Sequence, residues 1–189
     1  MSVPRPPLPL SALGYRSGPG HDPEAYRSLA RRLAASVTVV TTLRPDPTGP
    51  WVPDGFTATA FLTVSMAPPI VLVSATNASS AMAMLRGARH FVVNLLSSAQ
   101  QPLAEAFAAH EETRDRVFEA VSWAPDAAGV PVLAGGLGAF SARVRQQVDA
   151  GDHTLVLGDV TAVHLGPDDP PGSAVLLYHN RAYGTVGEP

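Results

Sequence analysis

Asn77, Ser79 and Ser80 stand directly before Ala81-Met82-Ala83-Met84-Leu85. Polar residues of these types in front of a helix-forming run predict a helix N-terminus, where side-chain oxygens cap the first turn and orphan N–H groups attract anions such as phosphate. Upstream, Thr57-Ala58-Thr59-Ala60 is small and hydroxylated, so its backbone N–H groups can approach a ligand closely. An ordinary strand also accounts for that run. His153 follows Gly151-Asp152, and a turn there would aim the imidazole at a site on the end of a sheet, although a lone turn histidine is more often a structural residue. Tyr178, His179, Arg181 and Tyr183 gather near the end of the chain, either as a polar-aromatic cluster able to meet a phosphate or as a surface turn with a cross-strand tyrosine. His21, His90, His110 and His164 show no metal-ligand spacing with one another or with a carboxylate, so no metal site is assigned. Glu105, Glu111, Glu112 and Asp115 read as a solvated helix face.

The elements that must position these residues are mostly strands. Gly55 to Phe61 and Ile70 to Val73 read as strands, and Pro68-Pro69 stops the first because proline cannot donate to a ladder. Ser36 to Leu43 has the highest β-branched content. Tyr26, Leu29, Ala30 and Leu33 recur at helical spacing after Pro23, and Pro45, Asp46, Pro47, Gly49 and Pro50 make a turn-rich connection. Helices are expected over about 79–86 and 99–109, with a polar helix or turn over about 111–119. Further strands are expected at 90–96, around Phe140 to Val144, over 153–165, and at 174–178, the last closing the chain. Several connections are too short for the crossover helix that parallel strands require. The sheet is therefore mainly antiparallel, and a closed or split Greek-key barrel with peripheral helices satisfies it. No Gly-x-Gly-x-x-Gly follows a strand, so a dinucleotide-binding parallel fold is not supported.

Composition narrows the function classes. A length of 189 residues suits one domain over 24–189, preceded by a proline- and glycine-rich arm over 1–23. A net charge of −3 supplies no basic stripe for nucleic acid. Charged residues are 15% and hydrophobic residues 46%, a balance that suggests apolar surface buried between subunits and makes a homodimer the expectation. With 0 Cys, disulfides, thiolate nucleophiles and Cys-ligated metals are excluded, and redox chemistry would need a bound cofactor. No leader or membrane-spanning run is visible, so the expectation is a soluble cytoplasmic protein.

The run from Asp54 to Ser80, DGFTATAFLTVSMAPPIVLVSATNASS, resembles the flavin reductase-like family of FMN-binding split barrels, which includes the reductase components of two-component monooxygenases. Phe91 to Leu96, Gly151 to Val160 and Tyr178 to Gly184 extend the resemblance, in the same order, over roughly residues 26–186. It implies an NAD(P)H:flavin oxidoreductase that transfers hydride from NADH or NADPH to FMN or FAD and supplies reduced flavin to a monooxygenase. The alternatives are an FMN-dependent oxidase or oxygenase acting directly on a biosynthetic substrate, and a flavin-binding module without turnover. On the resemblance, Thr57, Ala58, Thr59 and Ala60 line the flavin ring edge with Phe61 as a packing neighbour. Asn77, Ser79 and Ser80 hold phosphate or ribityl oxygens. Arg181 meets a phosphate and Tyr183 covers part of the pocket. His153 lies where nicotinamide stacks, hydrogen-bonding its amide or moving a proton near flavin N5. The chain departs from the family at Ala67, where an acidic residue usually precedes the double proline, and at Ser74, often a cysteine in the family and counted here with the flavin-contacting positions.

Overall fold

The computed structural model describes residues 8–46, 49–109, 111–167 and 174–186, with side chains except for those of 111–115. Pro4, Pro6, Pro7, Pro47 and His110, and the side chains of Glu111, Glu112 and Asp115, lie outside the described residues. The chain divides into two compact units, Met1–Leu33 and Ala34–Pro189.

The first unit contains a 3-10 turn at Leu10–Leu13 and helix α1, Pro23–Ala30. Asp22 caps α1: its Oδ1 accepts from the N–H of Glu24 at 2.9 Å and of Ala25 at 3.2 Å. Pro23 at the first helical position gives up an N–H that the helix start does not use. No residue of α1 is buried.

In the second unit the strands are β1 (Ala35–Ser36), β2 (Thr38–Arg44), β3 (Val52–Ala58), β4 (Phe61–Met66), β5 (Pro69–Thr76), β6 (His90–Leu95), β7 (Trp123–Pro125), β8 (Pro131–Leu133), β9 (Gly138–Ala150), β10 (His153–Leu165), β11 (Leu176–His179) and β12 (Ala182–Thr185). Helices α2 (Ser80–Gly87), α3 (Gln101–Ala108) and α4 (Glu111–Ala120) are peripheral. Seven strands form one sheet in the order β3-β2-β6-β9-β10-β5-β4, and every neighbouring pair is antiparallel. The two end strands, β3 and β4, are consecutive in the chain and separated only by Thr59-Ala60. The Ser74 N–H donates to the Ala60 carbonyl at 2.9 Å, carrying the β4–β5 ladder one residue pair into that link. The sheet thus curls into the split barrel that the short connections imply.

Alternation along the strands fills the barrel. Val40, Phe56, Val71, Val73, Phe91, Val93 and Val156 point inward and are buried, and Met82 and Leu85 of α2 join them. β2 is buried on both faces because Val37 and Val39 pack on a second core with Leu96, Ala104, Phe107 and Leu176, which explains its uninterrupted β-branched sequence. At Gly158 a Cβ would lie 2.6 Å from the Phe91 ring and 2.9 Å from the Ala142 methyl, so only glycine lets β10 pass that ring at this distance. A bulge falls there, between Leu157 and Gly158, and increases the local twist.

Three expectations change. The stretch 55–73 holds parts of three strands, since β4 continues the chain past the Thr59-Ala60 turn. The short hairpin β7–β8 lies in a segment where no strand is expected, its strands being only three residues long. β11 does not close the chain: Asn180 (φ 48°) and Arg181 (φ 67°) form a two-residue turn into β12, both in the left-handed region that tight hairpins demand. Among the described residues, no helix is long and apolar enough to cross a membrane.

Candidate functional site

The seam of the barrel opens a shallow groove of about 240 Å³ lined by Phe56, Thr57, Ala58, Thr59, Ala60, Ser74, Ala75, Thr76, Ser79, Ala81 and His153. Three elements meet there: the end of β3 and its turn, the end of β5 running into α2, and the start of β10. Antiparallel pairing brings the last two together, with His153 directly opposite Thr76.

Each sequence-predicted residue has a definite place. Thr57, Ala58, Thr59, Ala60, Ser74, Ser79 and His153 all line the groove. The Thr57 hydroxyl, however, donates to the Ala104 carbonyl of α3 at 2.6 Å. Ser79 is the N-cap of α2: its Oγ accepts from the Met82 N–H at 3.1 Å and donates to the Thr76 carbonyl at 2.6 Å. Its own N–H also donates to the Thr76 carbonyl, at 2.9 Å. The side chain therefore shapes the helix start. Ser80 opens α2 and is not among the lining residues.

Asn77 braces the far side. Its Nδ2 donates to the Gly151 carbonyl at 3.3 Å, its Oδ1 accepts from the Thr154 hydroxyl at 2.6 Å, and its N–H donates to the Asp152 carbonyl at 2.9 Å. These bonds clamp the β9–β10 turn to the end of β5 and occupy the groups expected to hold phosphate. Phe61 packs beside Phe140 with ring centroids 5.9 Å apart, a neighbour of the groove as expected.

Arg181 and Tyr183 are not brought to the groove in this chain. They belong to the separate sheet β1-β11-β12, where Arg181 occupies the left-handed turn and Tyr183 packs edge-on against Tyr178 at 5.2 Å. Burial, then the nearby Glu105 carboxylate, pushes the Tyr183 hydroxyl above its ordinary pKa, as expected for a phenol packed into the second core.

The sequence reading misses Phe56, Ala75, Thr76 and Ala81 as lining residues. Thr76 has the largest role among them: its Oγ1 lies 3.2 Å from His153 Nε2, while Asp152 Oδ1 lies 2.7 Å from His153 Nδ1. The hydrogen bond from His153, followed by its charge, holds the Asp152 carboxyl below the usual carboxylate range. The adjacency of a carboxylate and an imidazole in Gly151-Asp152-His153 is the only sequence signal for this arrangement.

Ala58, Ala60, Ala75 and Ala81 keep the groove walls low, and α2 presents its N-terminus to one end of it. Residues 30–187 match the family model described as the flavin reductase like domain. The chain belongs to this family. As a flavin reductase-like chain it is 42% identical over 158 residues to the NADH:FMN oxidoreductase of Rhodococcus qingshengii, an alignment covering 84% of this chain and 79% of that one. The NADH:FAD oxidoreductase of Streptomyces globisporus C-1027 superimposes on it with a TM-score of 0.79 at 25% identity, covering 92% of this chain and 98% of the other. Nitrilotriacetate monooxygenase component B from Mycobacterium thermoresistibile superimposes with a TM-score of 0.78 at 27% identity, covering 88% and 87%. The flavin reductase-like fold thus spans nearly all of the second unit. Among the described residues no cluster of three or more His, Cys, Asp or Glu is arranged to hold a metal.

Proposed function

We propose that this chain is an NADH:flavin oxidoreductase, which passes a hydride from the nicotinamide to FMN or FAD and delivers the reduced flavin to a monooxygenase. The observation that carries this reading is the convergence, in one groove, of the end of β3 with the exposed Thr59-Ala60 link, the capped start of α2 and His153. The groove fits a flavin. Alanines at four lining positions leave room for a flat ring, and the partial positive end of α2 suits a phosphate. When bound, the flavin supplies the two-electron acceptor.

The chain's own part is placement. The Thr57–Ala60 backbone borders the ring edge, the first turn of α2 receives the phosphate, and His153 orients the nicotinamide at the mouth, where reacting atoms must come within roughly 3–3.5 Å. Among the described residues, no arginine lines the groove. A 2′-phosphate therefore meets no cation there, which favours NADH over NADPH. The relatives support the same reading: NADH is named in two of them, FMN in one and FAD in another, and a third is a monooxygenase component.

The reading includes a homodimer. A groove of about 240 Å³ falls below the roughly 300–1,000 Å³ of sites that bury most of a ligand, so a second surface is needed to close it. The barrel also leaves Leu62, Val64 and Met66 of β4 and Val163 and Leu165 of β10 exposed, Met66 at 94%, apolar side chains that a partner copy would cover. Purified chain with FMN or FAD is expected to oxidise NADH faster than NADPH, and to elute from a sizing column with the light-scattering mass of a dimer. No NADH oxidation above a flavin-only blank refutes the activity, and a monomeric mass at micromolar concentration refutes the assembly.

A further inference from the structure

Asp152, His153 and Thr76 form a hydrogen-bonded row that ends in the groove, and the chemistry of its first member fixes the state of the second. An ionised carboxylate can only accept. With Asp152 Oδ1 at 2.7 Å from His153 Nδ1, that nitrogen carries the proton. The other nitrogen of the neutral ring, Nε2, is then a bare acceptor, and the Thr76 hydroxyl, 3.2 Å away, is the donor that occupies it. Thr76 and His153 are cross-strand partners on β5 and β10, so the ring is held from both sides. The neighbouring carboxylate, Asp149, lies 3.2 Å from the Thr154 hydroxyl and shares with Asn77 Oδ1, 2.6 Å away, the single proton of that hydroxyl. The Asp152 side chain is itself 88% exposed, so it holds up no core.

We propose that Asp152 is a positioning residue that locks His153 in the Nδ1–H tautomer, so that the groove presents a hydrogen-bond acceptor to its ligand. The Thr76 hydroxyl holds that acceptor in place until a ligand donor replaces it. An acceptor at this point selects for an N–H or O–H on the incoming molecule. On the proposed reading of the site, on which this consequence rests, the group that meets it is the primary carboxamide of NADH, whose NH₂ donates. A carbonyl-bearing group without an N–H gains nothing there.

The tautomer is read directly in the flavin-free protein from the imidazole ¹⁵N shifts, at a pH well above the imidazole's titration range. The expected result is Nδ1–H in the wild type and in Thr76→Val, and a change to predominantly Nε2–H in Asp152→Ala. In steady state, Asp152→Ala is expected to raise the KM for NADH about tenfold, the worth of one hydrogen bond, with the KM for FMN unchanged. It is also expected to lose the wild type's preference for NADH over the analogue in which an acetyl group replaces the carboxamide. A wild type in the Nε2–H form, or a tautomer that Asp152→Ala leaves unchanged, overturns the proposal. Because the tautomer is measured without flavin or NADH, it stands or falls separately from the activity: a locked Nδ1–H ring in a chain that never oxidises NADH would refute the proposed function and leave the lock intact.

Discussion

The start of α2 carries two roles, capping and anion binding, and one position separates them. Ser79 Oγ accepts from the Met82 N–H at 3.1 Å and donates to the Thr76 carbonyl. Replacing it with alanine removes the cap and is expected to cost about 1 kcal/mol, lowering Tm by roughly 2–4 °C in a chain of this size. Aspartate caps as well as serine, so Ser79→Asp should keep the wild-type Tm. It nevertheless places a negative charge at the helix start. Against a phosphate of roughly −1.5 to −2 charge about 5 Å away, in an effective dielectric of about 40, the repulsion comes to roughly 2.5–3.3 kcal/mol, on the order of a hundredfold in flavin affinity. Differential scanning calorimetry on the three proteins, with fluorescence titration of FMN, gives both numbers. The expected pattern is a Tm loss in Ser79→Ala without a collapse of affinity, and the reverse in Ser79→Asp. Wild-type FMN affinity in Ser79→Asp would show that no phosphate sits at α2. An unchanged Tm in Ser79→Ala would show that the cap is not what Ser79 contributes.

Gly158→Ala puts a methyl 2.6 Å from the Phe91 ring and is expected to destabilise by about 1–3 kcal/mol through overpacking; a Tm within error of wild type would mean that the ring moves aside freely. Asp159 is held below the usual carboxylate pKa first by the hydrogen bond from Arg145 and then, against a smaller opposing effect of burial, by that arginine's charge and by Arg143. Its folded pKa is lowered, so the stability it adds is complete above the unfolded value of about 3.9 and disappears as pH falls through the folded value. The Tm difference between wild type and Asp159→Asn should therefore be full at neutral pH and shrink below about pH 4, and a gap that persists at lower pH contradicts the assignment. Arg181→Gly relieves a left-handed residue at φ 67° and is expected to stabilise by up to about 1 kcal/mol in urea titration; destabilisation would show that the arginine side chain makes up for its backbone.

The local part of the site was legible because short-range chemistry writes it into adjacent residues. Ser79 before an alanine- and methionine-rich run is a cap on composition alone, and Gly151-Asp152 before a β-branched run places His153 at a strand start. The flavin itself came from the resemblance, since Thr-Ala-Thr-Ala reads equally as plain strand. What stayed hidden depends on register. Thr76 meets His153 across 77 residues of sequence, and no local pattern says which residue of β5 will face the first residue of β10. Asn77 shows the opposite limit: a short amide suits a helix cap, a phosphate and a strand brace, and only the position of the Gly151 carbonyl and the Thr154 hydroxyl decides among them. Arg181 sits in a two-residue turn outside the groove lining, and arginine rarely adopts the positive φ found there, so only Asn180 marks that turn in the sequence.

The bulge at Gly158 has a mechanical meaning for His153. His153 lies five residue steps before Gly158 along β10, about 16 Å of strand, and the β9–β10 hairpin carries the imidazole at its tip like the end of a lever whose fulcrum is the Phe91 ring inside the barrel. A pivot of only about 3–4° at the fulcrum swings the tip by roughly 1 Å, a misplacement that can cost on the order of a hundredfold in rate. The clamp of Asn77 on Gly151 and Thr154 opposes that swing. The aim of the histidine is thus set at two distant points, and the deeper of them is a hydrophobic contact that never meets either substrate.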